Sequence, residues 1–192
     1  MISMDLFIAS YIKELNQLLN DIDTKALEKF YNILNTSSEK GSRVYILGNG
    51  GSSATASHMA NDLKVGLGRR DIISIDAVSL ADNSSVITAL ANDVGYENIF
   101  YMQLKNILKP DDIIIAISCS GNSPNILKAV KYAKKCGNVI IGMTGFDGGK
   151  LKELSDIKIH SKTVNGKYGL VEDMHMIINH MISCYFQGKD NE

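Results

Sequence analysis

A serine-rich segment, residues 118–125, directly follows a run of β-branched residues. Ser118, Ser120 and Ser123 supply hydroxyls there, and the pair Ser123-Pro124 is typical of a helix N-cap followed by the first helical residue. Hydroxyls and free backbone N–H groups at a positive helix end bind phosphate. Because the segment has no lysine and no Mg²⁺-binding signature, it favours a small monophosphate over a nucleoside triphosphate. The alternative interpretation is plain helix capping, which needs only one hydroxyl.

A glycine-rich loop, Gly48–Ser53, is the second candidate, because it follows a β-rich run and opens a predicted helix. Its glycines permit positive φ and a close approach of the backbone to a ligand. Ser53 replaces the third glycine of the dinucleotide-binding fingerprint, and no P-loop lysine follows. The loop therefore indicates a ligand of another kind, with a tight structural turn as the alternative.

His58 and Asp62 are four residues apart on the helix predicted after this glycine loop. That spacing places both side chains on one helical face, where a substrate or a metal could bridge them. A histidine with a carboxylate is a plausible zinc-binding set. The alternative is an exposed ion pair.

Glu172, His175, Asn179 and His180 lie on one arc of about 140° of the last predicted helix, counted at about 100° per residue. The rest of that helix is mostly apolar, so the arc is not typical of a simple solvent-facing surface. Glu172 and His180 are nevertheless about 12 Å apart along a regular helix, so they can share a metal only by leaning together. His175 is interpreted as structural, and His160, at a predicted strand end, as a surface residue.

The elements that position these side chains follow from the hydrophobic pattern. Helical spacing of apolar residues predicts two leading helices, and near-continuous Ile and Val runs then predict strands buried on both faces. Alternation of strands and helices favours an α/β fold, a doubly wound parallel sheet flanked by helices. We expect one domain over 1–192, with 1–38 as a helical extension. The helices are predicted at 4–20, 24–35 and about 168–187, and the strands at 43–47, 72–75, 113–117, 139–143 and 157–160.

Composition excludes several classes of protein. The net charge of −1 gives no basic excess for nucleic acid or a membrane surface. The three cysteines, Cys119, Cys136 and Cys184, are scattered and have no C-x-x-C spacing, which fits a reducing compartment. The N-terminus has no basic region typical of a signal peptide, and no stretch is apolar enough to span a bilayer. We expect a soluble, cytoplasmic protein.

Taken together, the motifs resemble those of the sugar isomerase (SIS) domain family. The loops resemble its G-N-G-G-S and S-x-S-G-x-S segments. Two further stretches are similar to those of the phosphoheptose isomerases within that family: residues 91–96 to an N-D-x-G-[FY] segment, and residues 171–180 to a C-terminal Q-E-x-H-x-x-x-x-H helix. The four motifs occur in order over nearly the whole chain.

The resemblance implies the SIS fold and a homotetramer that interconverts sedoheptulose 7-phosphate and D-glycero-D-manno-heptose 7-phosphate through an enediol, with sites at subunit interfaces and one Zn²⁺ per subunit. It places the base at Asp62 and the acid at His180. It implies His58, Asp62, Glu172 and His180 as metal ligands. The implied substrate contacts are Asn49, Gly50, Gly51, Ser52, Asp62, Asn92, Asp93, Ser118, Cys119, Ser120, Ser123 and Glu172.

The chain departs from the family pattern at three positions. Asp62 replaces the catalytic glutamate and is one methylene shorter, Glu172 replaces a glutamine, and Gly66 stands where an arginine is expected. The added carboxylate of Glu172 could strengthen metal binding or serve as the base itself, as a partner that compensates for Asp62. Two arginines, Arg69 and Arg70, lie shortly after Gly66, the position at which the family pattern has its arginine.

Three alternatives to a heptose isomerase remain open. The first is a non-catalytic interaction protein, because the bacterial replication-initiator-associating protein resembles the same isomerases and also resembles this chain at Gly145–Gly149. The second is a sugar-phosphate sensor or regulatory domain. The third is an isomerase for a different phosphosugar.

Overall fold

The computed structural model describes residues 2–189 as one parallel sheet covered by helices. The helices are α1 (Met4–Asn20), α2 (Thr24–Lys40), α3 (Gly51–Asn61), α4 (Ser84–Val94), α5 (Ile99–Leu104), α6 (Pro124–Lys135), α7 (Gly149–Leu154) and α8 (Tyr168–Lys189). A π-helical turn, Asp62–Gly66, extends α3, and a short 3₁₀ turn, Tyr96–Asn98, precedes α5. The strands are β1 (Arg43–Gly48), β2 (Asp76–Ser79), β3 (Ile113–Ser118), β4 (Val139–Gly145) and β5 (Ile157–Ser161).

The five strands are all parallel, in the order β2-β1-β3-β4-β5. Successive residues of the central strands point to opposite faces of the sheet and pack into two different hydrophobic cores. Val44 and Ile46 pack with α2, α3 and α8 on one face, whereas Tyr45 and Leu47 pack with α5 and α6 on the other. Burial on both faces explains the uninterrupted apolar runs in the sequence. The predicted doubly wound α/β fold is confirmed.

One predicted strand is wrong. Residues 72–75 are not in a strand, and β2 begins at Asp76 instead. Ile75 is buried in the core, so the apolar run reflects packing rather than strand pairing. The ladder starts where Asp76 stands opposite Arg43, to which it is also joined by an ion pair of 2.6 Å. Because β2 is a short, half-buried edge strand, its sequence signal is weaker than that of the central strands.

The second helix is longer than its apolar pattern predicts, and extends to Lys40 rather than to residue 35. Its last turn is polar and lacks the periodicity on which the prediction depended. The true end is set by Gly41, which adopts the left-handed conformation and whose N–H bonds to the carbonyls of Ser37 and Ser38.

Helix α1 packs Leu15, Leu18 and Leu19 on the core to which α8 contributes, and polar contacts add to this packing. The hydroxyl of Tyr11 donates to Asp173, 2.5 Å away, and Lys167 bonds to Glu14. No residue of α1 is buried within the described part of the chain, and Met4 and Phe7 are 70% and 52% exposed. The helix therefore presents an apolar face to its surroundings.

Crossing a bilayer demands a longer and more apolar helix than any found within residues 2–189. The outer limits of the predicted domain, Met1 and residues 190–192, lie outside the described residues.

The two histidines without a predicted site role differ in environment. His160 is half-buried, not a surface residue as predicted, because it stands opposite Thr144 in the β4–β5 ladder and its Nδ1 lies 3.0 Å from the Thr144 hydroxyl. His175, on the inner face of α8, is fully buried, and neither ring nitrogen has a hydrogen-bond partner within the described residues. Burial lowers the pKa of His175 from 6.5 to about 4.

This buried histidine predicts a loss of stability in mild acid. Because its pKa of about 4 in the folded protein is below its ordinary 6.5, the unfolded chain takes up a proton first as the pH falls. His175 therefore destabilises the fold by about 2 kcal/mol between pH 7 and pH 5. In a His175→Phe variant we expect that share of the loss to disappear, as measured by urea unfolding at both pH values. An equal difference between variant and wild type at pH 7 and pH 5 would contradict this assignment.

Candidate functional site

The serine-rich loop joins β3 to α6 and brings two hydroxyls together. Ser118 Oγ lies 3.3 Å from Ser123 Oγ, and the N–H of Gly121 donates to Ser118 Oγ at 3.2 Å. Ser123 is the N-cap residue of α6, as predicted, but its side chain makes no cap bond to the described residues of the helix. Its hydroxyl is thus available to a ligand at the positive end of α6, which favours the phosphate-binding interpretation over plain capping.

Ser120 and Cys119, the other two predicted substrate contacts in this loop, have different surroundings. Ser120 Oγ accepts the N–H of Asn122 at 3.2 Å, so it stabilises the loop itself. Cys119 is buried beside Ser52 of the glycine-rich loop. Burial, and secondarily the charge of Glu172, raise the pKa of the Cys119 thiol, which keeps it protonated at neutral pH.

The glycine-rich loop is held against the serine-rich loop by a pair of asparagines. Asn49 Nδ2 donates to Asn125 Oδ1 at 2.9 Å, and Asn125 Nδ2 donates to Asn49 Oδ1 at 2.8 Å. The hydroxyl of Tyr96 donates to the same Asn49 oxygen at 3.0 Å. Asn49 therefore positions both loops, whatever contact it also makes with substrate. Gly50, with φ of +53°, forms the turn into α3.

Asn92 and Asp93 lie in the last turn of α4, where both are exposed and Asn92 Nδ2 donates to Asp93 Oδ1 at 2.9 Å. Tyr96, three residues beyond Asp93, connects this segment to the glycine-rich loop through Asn49. The predicted substrate residues of the two loops are thus brought together, and Asn92 and Asp93 lie on the segment that borders them.

Glu172 lies at the edge of both loops. A Cβ atom added to Gly51 would come within 2.4 Å of Glu172 Oε1, so the carboxylate packs directly on the Gly51 backbone. Its charge also acts on the Cys119 thiol of the serine-rich loop. Glu172 thus places a carboxylate between the two loops that the sequence predicts to bind substrate.

A second polar cluster consists of His58, Asp62 and His180. The Nε2 atoms of the two histidines are 3.2 Å apart, and Asp62 Oδ2 lies 3.2 Å from His58 Nε2. Donor atoms of all three residues lie within 4.8 Å of one another. Asn179, which is almost fully buried, donates to Asp62 Oδ2 at 2.8 Å and fixes the carboxylate. Such convergence of nitrogen and oxygen donors fits a zinc ion.

Glu172 is not part of this cluster of three within the described chain, so the metal set of His58, Asp62, Glu172 and His180 stays a prediction. The reason is the regular course of α8, in which Glu172 precedes His180 by eight residues, or about 12 Å of rise. His58 likewise lies two turns beyond Gly51 on α3, so the two helices keep the loop edge and the cluster apart.

A cavity of about 340 Å³ opens beside the cluster. Arg69 and Arg70 line it, and Arg70 Nη1 donates to the carbonyl of Gly66 at 2.6 Å. The buried hydroxyl of Ser183 borders it too and has no partner within residues 2–189. The two arginines therefore place positive charge in the same cavity that the three candidate metal ligands line.

Sequence reasoning missed Asn125, which is buried and yet supplies the amide pair. Its position directly after the helix-opening Pro124 was the available signal, because a buried asparagine there needs a polar partner from another loop.

Comparison with known proteins agrees with this architecture. The SIS domain family pattern matches residues 10–145. The phosphoheptose isomerase of Aneurinibacillus thermoaerophilus is 36% identical over 88% of this chain and 80% of its own length, and that of Helicobacter hepaticus is 35% identical over 88% and 85%. A solved phosphoheptose isomerase structure from Francisella tularensis superposes with a TM-score of 0.82 at 26% identity, covering 98% of this chain and all of the other.

The asparagine pair generates a prediction about loop coupling. Asn125→Ala leaves polar groups of Asn49 without their partner, and should destabilise the protein by about 1–3 kcal/mol. Because Asn49→Ala removes the same two bonds, the double variant should fall short of the summed effects by about 1 kcal/mol. Urea unfolding of the four proteins measures this coupling. Asn165→Ala, at an exposed position, serves as the control and should add independently; additivity of the Asn49 and Asn125 variants would contradict the pairing.

Proposed function

The chain belongs to the phosphoheptose isomerase family of SIS-domain proteins, and on that premise we propose that it interconverts sedoheptulose 7-phosphate and D-glycero-D-manno-heptose 7-phosphate. The observation that carries the proposal is the pair of hydroxyls, Ser118 and Ser123, at the N-terminus of α6 with the carboxylate of Glu172 at the same edge. The pair is suited to bind a phosphate, and the carboxylate is suited to move a proton.

Phosphate binding anchors the substrate through the hydroxyls of Ser118 and Ser123 at the positive end of α6. Gly50 has open space where a side chain would lie, which leaves room for the sugar, whereas the Glu172 carboxylate fills that space at Gly51. Anchoring the distal phosphate fixes the reacting carbons near the catalytic groups, which lowers the entropic part of the barrier.

The reaction transfers a proton between C1 and C2. A carboxylate, Asp62 or Glu172, takes a proton from C1 of the ketose while His180 donates one to the C2 carbonyl oxygen, which gives the enediol. Return of a proton to C2 and loss of the proton on O1 then produce the aldose. All atoms and charges balance without an external oxidant, and the acid and base return to their initial states.

We further propose that one zinc ion per subunit binds at the cluster of His58, Asp62 and His180. Two imidazole nitrogens and a carboxylate oxygen, with donor atoms within 4.8 Å of one another, fit the ligands that zinc prefers. Bound there, the metal would polarise a sugar oxygen as a Lewis acid. The chain's own contribution is to hold these donors, with Asn179 orienting the carboxylate.

A second copy of the chain completes this site in the proposal. Glu172 and His180 are separated by about 12 Å of rise along α8, so in this proposal a neighbouring chain brings the complementary group to each. The exposed apolar residues of α1 offer a surface for such an assembly, and the homotetramer expected from the family resemblance accommodates it.

The described cysteines are all free thiols, which fits the cytoplasm, and neither nucleic acid nor a membrane is expected as a partner.

The function test is turnover of sedoheptulose 7-phosphate, followed by NMR with metal-stripped and zinc-loaded protein. We expect aldose to form, faster with zinc, and expect Asp62→Asn, Glu172→Gln and His180→Asn each to lower kcat by about 10²-fold or more. Glu153→Gln, at an exposed carboxylate of α7, is the control and should retain full activity. Full activity of both Asp62→Asn and Glu172→Gln would refute the assignment of the base, and absence of turnover in folded wild-type protein would refute the substrate.

Subunit complementation tests the shared site. If one chain supplies the cluster and its neighbour supplies Glu172, mixed oligomers of inactive His180→Asn and inactive Glu172→Gln contain some intact sites and regain activity. A mixture of His180→Asn with Asp62→Asn is the matched control, because both changes damage the same cluster and no intact site can form. Equal lack of activity in the two mixtures, with subunit exchange verified by mass spectrometry, would show that each site lies within one chain.

A further inference from the structure

The segment Gly145–Gly149, at the end of β4, contacts residues 119–122 of the serine-rich loop. The N–H of Gly145 donates to the carbonyl of Cys119 at 2.9 Å, and the N–H of Leu151 donates to the carbonyl of Gly121 at 2.9 Å. These bonds join two backbones that lie side by side at the carboxyl edge of the sheet. The reaction proposed above assigns this segment no role.

Glycines make this approach possible. Gly121 has φ of +63°, and a Cβ atom added there would lie 1.9 Å from the carbonyl oxygen of Gly148. A Cβ on Gly149, which has φ of +51°, would lie 2.4 Å from the carbonyl oxygen of Ser120. Because the obstructing atoms are backbone, neither loop could yield without moving the other.

Asn122 fastens the two loops through its side chain. Its Nδ2 donates to the carbonyl of Ser120 at 3.0 Å, while its Oδ1 accepts the N–H of Lys150 at 3.2 Å. Asn122 itself is exposed, so these bonds do not serve the hydrophobic core. They fix the conformation of the loop between Ser118 and Ser123.

The other end of the segment is fixed to α8. Phe146 is buried although its φ is +52°, and its ring packs edge-on against Tyr168 with centroids 5.0 Å apart. It forms a small apolar cluster with Cys119 and Val171, the residue before Glu172. A non-glycine residue holds such a conformation only where its surroundings fix it.

We propose that Gly145–Gly149 is a bracket that sets the serine-rich loop at a defined position relative to Glu172, and that Asn122 is its positioning residue for phosphosugar binding. The inference deepens the proposed function and rests on it. The segment Gly145–Gly149 resembles one in the replication-initiator-associating protein, which would favour a partner-binding surface. The contacts described above are instead made within the chain, and they give the segment a role in positioning the serine-rich loop.

The test compares Asn122→Ala with Asn165→Ala, an exposed asparagine that lines the cavity on the same side of the loop. The probes are inorganic phosphate, whose Kd is measured by ³¹P NMR, and sedoheptulose 7-phosphate turnover. Loss of the two side-chain bonds should raise the phosphate Kd and the KM about tenfold, equivalent to about 1.4 kcal/mol, with kcat changed less than about twofold. Asn165→Ala should leave all three values unchanged.

The outcomes separate this inference from the proposed function. Unchanged phosphate Kd and KM in Asn122→Ala would overturn the bracket, and so would a fall in kcat at constant KM. Phosphate binding that weakens in Asn122→Ala, in a wild-type protein without isomerase activity, would support the bracket and refute the substrate. If wild-type protein does not bind phosphate, both fail. Thermal unfolding verifies the fold, and Asn122→Ser, whose side chain is too short for both bonds, replaces the alanine variant if that variant unfolds.

Discussion

The reciprocal amide pair between Asn49 and Asn125 is the interaction on which the rest of the site depends. Parallel strands deliver the glycine-rich and serine-rich loops to one edge of the sheet, but strand pairing ends at Gly48 and Ser118 and leaves the loop backbones to be placed by other contacts. The amide pair joins the loops directly, and Asn125 is buried so that water competes little for its bonds. The helix N-termini behind the loops are thereby aimed at a common point.

The two helices that leave this edge impose the second constraint. Helices α3 and α8 lie side by side, with Gly51 against Glu172 near their beginnings and His58 against His180 two turns later. The rise of the helix sets the separation of these two contacts along α8 at about 12 Å. The edge formed by the two loops and the histidine cluster therefore lie at different heights along α3 and α8. The π-helical turn that begins at Asp62 is of a kind often found at functional sites, and Asn179 holds the Asp62 carboxylate within the cluster.

Much of this was predictable from local sequence. The central strands follow from uninterrupted burial, the start of α6 from Ser123-Pro124, and the meeting of His58 with Asp62 from their spacing of four residues. Features that depend on other segments were not predictable. The edge strand β2 begins at Asp76 because Arg43 stands opposite, and α2 continues through a polar turn to Gly41. The role of Asn125 depends on its hydrogen bonds to Asn49, which is far away in the sequence. The rise of about 12 Å between Glu172 and His180 could be calculated in advance because it depends on α8 alone, but whether the two residues share a metal stays a prediction.

The charge of Glu172 supplies an independent argument for a shared site. A carboxylate beside a phosphate-binding loop repels a bound phosphate, and in the described part of the chain no ion pair neutralises it. Family members with glutamine at this position avoid that repulsion, so the substitution is unfavourable unless a cation lies opposite. A neighbouring copy would offer one in its zinc-loaded cluster or in the arginines that border it. The same carboxylate would then contribute a ligand or a base across the interface, and the shorter Asp62 on the facing chain would no longer have to fill both roles alone.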